Sequence, residues 1–341
     1  MQAIATVELL LQRWYEPPQA SALHMSTLVQ QVLSLIAQHG GITPADAYRA
    51  LCAGGPFRAV DAATFMTLLR DLGDGDLIRQ ENDGLLLHGE AGERLVNHHT
   101  FYAAFAAPAE YRIVHGGRTL GGIPMEHLLP EGALLIFAGR RWRITAIDTH
   151  AKLIEVAPAS GGTPPRFTGS GPDVHDRVRT EMRRVYEDAA MPAYLDATAQ
   201  RLLTEGRRAY RRMGLATGPL LGHGGDTLLF PFRGDVVMTT LALALHSRGI
   251  AVERHGLALA LGDITPEAAG EVLGDLTDLP DAVDLAALVP DKRLDKHDAL
   301  LGDHLLTRSY AARRIDVPAT REAVRDLVSS RPERATGICP P

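Results

Sequence analysis

Trp142 stands among three arginines, Arg140, Arg141 and Arg143. A guanidinium is a permanent cation that grips phosphate oxygens, and an indole face stacks on a base. One short stretch therefore offers both interactions by which proteins hold single-stranded nucleic acid. A second dense group, Arg207, Arg208, Arg211 and Arg212 with Arg201 ahead of them, faces only Glu205 locally. Part of that charge suits a helix C-terminus, whose carbonyls carry partial negative charge. It remains the most positive local run in the chain and a candidate phosphate contact. Arg166, downstream of the first group, completes the candidate set.

Other chemistries are missing their residues. A phosphate-binding loop needs a lysine directly after a glycine, to reach the β- and γ-phosphates. The lysines here are Lys152, Lys292 and Lys296, which follow Ala151, Asp291 and Asp295. An Asp-Glu dipeptide that would hold magnesium is absent, so this chain alone is not expected to hydrolyse ATP. Gly169, Ser170 and Gly171 are adjacent and do not match the G-x-S-x-G spacing of a nucleophile elbow. Cys52 and Cys339 lack metal-ligand spacing, and His98 with His99 diverge on a helix, so neither catalytic nor metal-ligating residues are assigned. A net charge of −6 argues against a uniformly basic coat and leaves room for a local basic face.

The elements that must position these residues follow from periodicity. Ala133 to Ala138 reads as a strand apolar on both faces, ended by Gly139. From Arg141 the pattern alternates, with Trp142, Ile144 and Ala146 on one face and Arg141, Arg143 and Thr145 on the other. Lys152 to Ala157 adds a third strand, making a β-meander. Parity with Ile144 turns Trp142 inward, while an outward Trp142 would be free to stack on a base.

At 341 residues the chain is long enough for two or three domains. Ala3 to Trp14 reads as an amphipathic helix with Val7, Leu10, Leu11 and Trp14 at helical spacing, and with Leu9, Leu10 and Leu11 expected to be partly exposed. Ser26, Thr43 and Asp61 are read as N-caps of three helices. Strands Leu77 to Gln80 and Leu85 to His88 follow, joined by a turn at Asn82 to Gly84. Three helices and a hairpin make a winged helix. Its third helix offers only Arg70 against Asp61 and Asp71, and its wing offers Arg79 beside Glu81 and Asp83. That charge suits a structural brace better than a groove reader. Phe101, Tyr102 and Phe105 are read as a seal between domains.

Beyond Phe167, a helix is expected from Asp173 to Asp188, capped by Asp173 or its neighbour. Its arginines are offset by Asp176, Glu181, Glu187 and Asp188, as on a solvated face. A second helix, Pro192 to Met213, carries the dense basic group. From Leu220 a small α/β unit is expected, with strands at Asp226 to Phe232 and over Glu253 to Leu261. Leu300 to Arg314 reads as a final helix, and Arg331 to Pro341 as a fraying tail. No secretory signal and no apolar run of the ~18–20 residues that cross a bilayer is visible. A cytoplasmic protein is expected.

The run Gly-Arg-Arg-Trp-Arg-Ile at 139–144, a short turn, a strand running into Pro158, a glycine pair, Pro165 and Phe167 together resemble the β-barrel module of Lhr-type (large helicase-related) superfamily 2 DNA helicases. In that family a winged helix and a barrel-containing C-terminal module follow two RecA-like motor domains. The resemblance implies an α+β multidomain chain: linker helix 1–24, winged helix 25–100, β-barrel-like module 101–172, helical segment 173–216, small α/β unit 217–330 and tail 331–341. It also implies a region that guides single-stranded or tailed DNA, with Trp142 stacking on the strand and the arginines near phosphates. ATP and magnesium would belong to the motor. The partner would be that motor, as a domain or as a separate ATPase subunit.

Overall fold

The structure is a computed structural model that describes residues 1–18, 23–105, 109–125, 130–159, 173–276 and 278–329. The chain is a mixed α+β protein. It divides into two compact units, one formed by Met1–Ala104 with Asp173–Pro341, the other by the inserted Phe105–Pro172. In chain order the first unit opens with α1 (Gln2–Leu11), α2 (Met25–His39), α3 (Pro44–Tyr48) and α4 (Ala62–Asp74), then the hairpin β1 (Ile78–Gln80) and β2 (Leu86–His88), and α5 (Glu90–Val96). The inserted unit holds β3 (Ala109–His115), β4 (Arg118–Met125), β5 (Leu134–Phe137), β6 (Arg140–Asp148) and β7 (Leu153–Pro158). The first unit resumes with α6 (Asp176–Glu187), α7 (Ala197–Arg212), β8 (Leu220–His223), β9 (Asp226–Leu229) and α8 (Asp235–His246). It continues with β10 (Val252–His255), β11 (Ala258–Leu261), α9 (Pro266–Asp275), α10 (Ala282–Ala287), α11 (Asp303–Arg314) and α12 (Val317–Ser329).

Two of the expected caps hold. Thr43 accepts from the Asp46 N–H and Asp61 from the Thr64 N–H, each satisfying a donor that the first helical turn leaves open. Ser26 does not cap α2. It lies inside the helix, and its buried hydroxyl accepts from the backbone N–H of His297 at 3.0 Å. Nor does Asp173 cap α6, because His175 does so through Nδ1, while Asp173 pairs with Arg314. Helix α7 starts at Ala197 and not at Pro192, because Asp196 accepts from the Ala199 N–H at 2.7 Å and sets the first turn there.

The first core joins α2, the turn after α3, α4 and the β1–β2 hairpin, and it also contains Leu301 and Leu305 from the far end of the chain. Residues 25–100 therefore share their interior with α11. Of the three aromatics read as a domain seal, only Phe101 is buried, in this core; Tyr102 and Phe105 are 96% and 80% exposed. Helix α1 docks by Ala5 and Ile4 on a core of Met182, Val185 and Leu203 from α6 and α7. Leu10 and Leu11 are exposed as expected, at 56% and 66%, whereas Leu9 is buried. This helix is apolar on most of its circumference, so periodicity does not choose a side. The small Ala5 lets α6 approach closely on one of them.

From Leu220 the expected small α/β unit is an antiparallel four-stranded sheet, ordered β10-β11-β9-β8 and backed by helices. The single strand read over Glu253 to Leu261 is a hairpin, because Gly256 takes a left-handed φ of 59° and reverses the chain.

The inserted unit is one sheet ordered β4-β3-β7-β6-β5, curled as a half-barrel. The meander β5-β6-β7 forms as expected, and β7 then pairs in parallel with β3. Ala138 and Gly139 turn β5 into β6 with φ of 49° and 72°, the positive values that a tight hairpin requires at both positions. A register shift between Ile144 and Ala146 leaves Thr145 as the extra residue of a bulge. Parity changes there, and Ile147 replaces Ala146 on the inner face.

Candidate nucleic-acid interface

Strand β6 sorts its side chains by the two-residue period of a strand. Trp142 lies opposite Leu135 and Pro158, and with Tyr111, Ile113, Ile144, Ile154 and Val156 it forms the sheet's core. It is 7% exposed. The indole N–H donates to the Phe137 carbonyl at 3.2 Å, and the ring lies 5.2 Å from that of His115, whose Nδ1 is 2.7 Å from the Val156 carbonyl. The inward reading of its parity holds, and a base has no open indole face to stack on in this arrangement.

Arg141 and Arg143 take the opposite face, across from Ile136 and Leu134, and both are exposed. Arg143 also donates to the Gly132 carbonyl at 3.1 Å. Arg140 is exposed at the hairpin end, opposite Phe137. Sequence reading missed Arg112 on β3, exposed between the inward Tyr111 and Ile113. Its signal is the same alternation that reveals Arg141 and Arg143. Arg166 lies outside the described residues.

Helix α7 is held by its inner face. Leu203 packs with α1 and α6. Tyr210 stacks on Tyr186 at 5.1 Å and donates its hydroxyl to Glu187 at 2.7 Å. Burial and the Glu187 carboxylate together push the Tyr210 phenol up to about 12. Arg207 belongs to this inner face and not to the surface row in which sequence placed it. It is 6% exposed, and its Nε donates to the Val185 carbonyl at 2.9 Å.

Arg208, Arg211 and Arg212 are exposed on the outer side, and among the described residues no carboxylate oxygen comes within 4.0 Å of any of them. Arg201 is 3.8 Å from Glu205. In the hairpin, by contrast, Arg79 is tied to Asp76 at 2.8 Å, which holds the Asp76 carboxyl below its ordinary range.

The arrangement can hold a polyanion. No family model, curated protein or solved structure matches the chain.

Proposed function

We propose that this chain is the strand-guiding region of an Lhr-like ATP-dependent DNA helicase, holding single-stranded DNA beside a RecA-like motor that supplies the ATP and magnesium chemistry. One observation carries the reading: Arg208, Arg211 and Arg212 are exposed on a helix with no carboxylate partner among the described residues, in a chain whose net charge is −6. Cations left without carboxylates in an acidic protein suit a polyanion. The order of elements supports it too. Three helices and a hairpin, the arrangement of a winged helix, precede a sheet whose β6 is the Gly-Arg-Arg-Trp-Arg-Ile run.

In this reading the α7 arginines contact phosphates, Arg140, Arg141 and Arg143 supply further cations on β6, and Trp142 holds the sheet together. Anisotropy titrations with a labelled oligothymidylate and with blunt duplex DNA test it. The single strand is expected to bind more tightly, with affinity falling as salt rises. Equal affinity for both, or none for either, overturns it.

A second reading rests on α1, whose Leu10 and Leu11 are 56% and 66% exposed, with Tyr15 just beyond it 70% exposed. In it the chain completes a helicase motor made as a separate polypeptide and docks to it through that apolar stripe. Size-exclusion chromatography with a candidate ATPase, comparing the chain with its Leu10→Asp variant, separates the two readings.

A further inference from the structure

Arg207 is 6% exposed, and its guanidinium makes one hydrogen bond among the described residues. A guanidinium taken out of water is costly unless anions or acceptors surround it. Nε donates to the Val185 carbonyl, while the two terminal nitrogens have no protein partner among the described residues and are not sealed from solvent. Arg207 lines a partly open pocket of about 160 Å³ between α1, α6, α7 and the loop before α7, far more than the ~30 Å³ share of one water. The cavity is not simply an anion hole, because Glu181 and Asp188 line it as well. Glu181 is 9% exposed, and its nearest cation, Arg184, stays at 3.6 Å, beyond a strong hydrogen bond. Ile4, Val185 and Pro192 supply apolar walls.

The occupant that suits this lining is small and flat, with acceptors for a guanidinium on one edge and donors for a carboxylate on the next. We propose that the cavity receives a guanine base from the bound strand; this rests on the strand-binding reading above. Guanine alone among the bases places two acceptors, O6 and N7, beside two N–H donors, at N1 and N2. The acceptors match the Arg207 fork and the donors match the Glu181 carboxylate. Thymine has one ring N–H between two carbonyls, and neutral adenine and cytosine have no ring N–H on that edge.

The surroundings fit a base entering from a strand. Arg211 lies one turn beyond Arg207 on α7 and is exposed, and Arg184, 63% exposed, lies on the pocket's lining. Both are placed to hold the flanking phosphates while the base sits inside. Helix α7 would then contact the strand twice, by charge on its outside and by an edge-reading arginine within.

The test compares two labelled strands on the full chain: an oligothymidylate, and the same strand with one central dG. The unaltered chain is expected to bind the dG strand about tenfold more tightly, the scale of one bidentate base contact. Arg207→Met and Glu181→Gln are expected to abolish that preference while the oligothymidylate affinity stays nearly unchanged. Ala190→Phe, at an exposed position on the rim, fills the cavity without touching the core and is expected to do the same, which keeps the test decisive if Arg207→Met fails to fold.

Equal binding of the two strands by the unaltered chain overturns the cavity assignment and leaves the strand-binding reading standing. A dG preference that survives in Ala190→Phe also overturns it. A chain that binds neither strand overturns both.

Discussion

Strand β6 and helix α7 look alike in sequence, each a cluster of arginines with one large side chain among them, and the fold uses them differently. In β6 the period of two puts Trp142 inside and Arg141 and Arg143 outside, so the aromatic and the cations never share a surface. In α7 the period of 3.6 lets one arginine, Arg207, turn inward while Arg208, Arg211 and Arg212 stay out. Helix α6 is the useful control. Its Arg179, Arg183 and Arg184 lie 3.4, 2.9 and 3.6 Å from Asp235, Glu187 and Glu181, and Arg177 sits over the Trp14 ring. Arginine density alone therefore does not define a surface for phosphate. What distinguishes α7 is that, among the described residues, no carboxylate oxygen comes within 4.0 Å of Arg208, Arg211 or Arg212.

The comparison breaks first at Trp142. If the indole serves as core, Trp142→Ala should cost about 3–5 kcal/mol of the inserted unit's stability. Denaturant unfolding followed by circular dichroism would show it, with the α7 contribution to binding preserved. If stability is untouched and only strand affinity falls, Trp142 is a contact after all.

Next comes the α7 row. Replacing Arg208, Arg211 and Arg212 together by alanine removes three charged contacts worth about 1 kcal/mol or more each, roughly a hundredfold in affinity. The melting temperature should barely move. Replacing Arg177 and Arg183 on α6 by alanine should leave affinity almost unchanged, which sharpens the contrast between the two helices.

Asp196→Ala removes the cap that starts α7 and should cost about 1 kcal/mol of stability. Asp196→Asn should restore most of it. Arg183→Ala, which breaks a half-exposed pair with Glu187, should cost about 0.3–0.5 kcal/mol.

The smallest effect concerns pH. The Thr64 N–H holds the Asp61 carboxyl below its ordinary range. Because the folded pKa is depressed, this contribution is complete above the ordinary carboxylate range and is lost as pH falls through the folded value. Acid unfolding of Asp61→Asn should lack that component.

Much of this was legible in the sequence where one local rule decides. The alternation from Arg141 to Ile144 put Trp142 inside, and Thr43 and Asp61 announced their caps. The deficit of carboxylates around α7 was visible in the letters. The rest depends on partners far away in the chain. Ser26 reads as a cap, and only the approach of His297 makes it a buried acceptor. The sequence of α1 cannot say which apolar side meets α6. Thr145 carries no sign that it will bulge, and Arg207 looks like its exposed neighbours until Val185 takes its Nε. The acidic cap Asp196 was readable and overlooked, because Pro192 offered an earlier start.

The claim that α7 holds a strand by its phosphates is tested most directly by the salt dependence of oligothymidylate affinity, measured for the unaltered chain and for the variant with alanine at 208, 211 and 212. Each phosphate contact on a single strand contributes about 0.7 to the slope of log affinity against log salt, so the slopes should differ by about 2. Equal slopes would contradict the account.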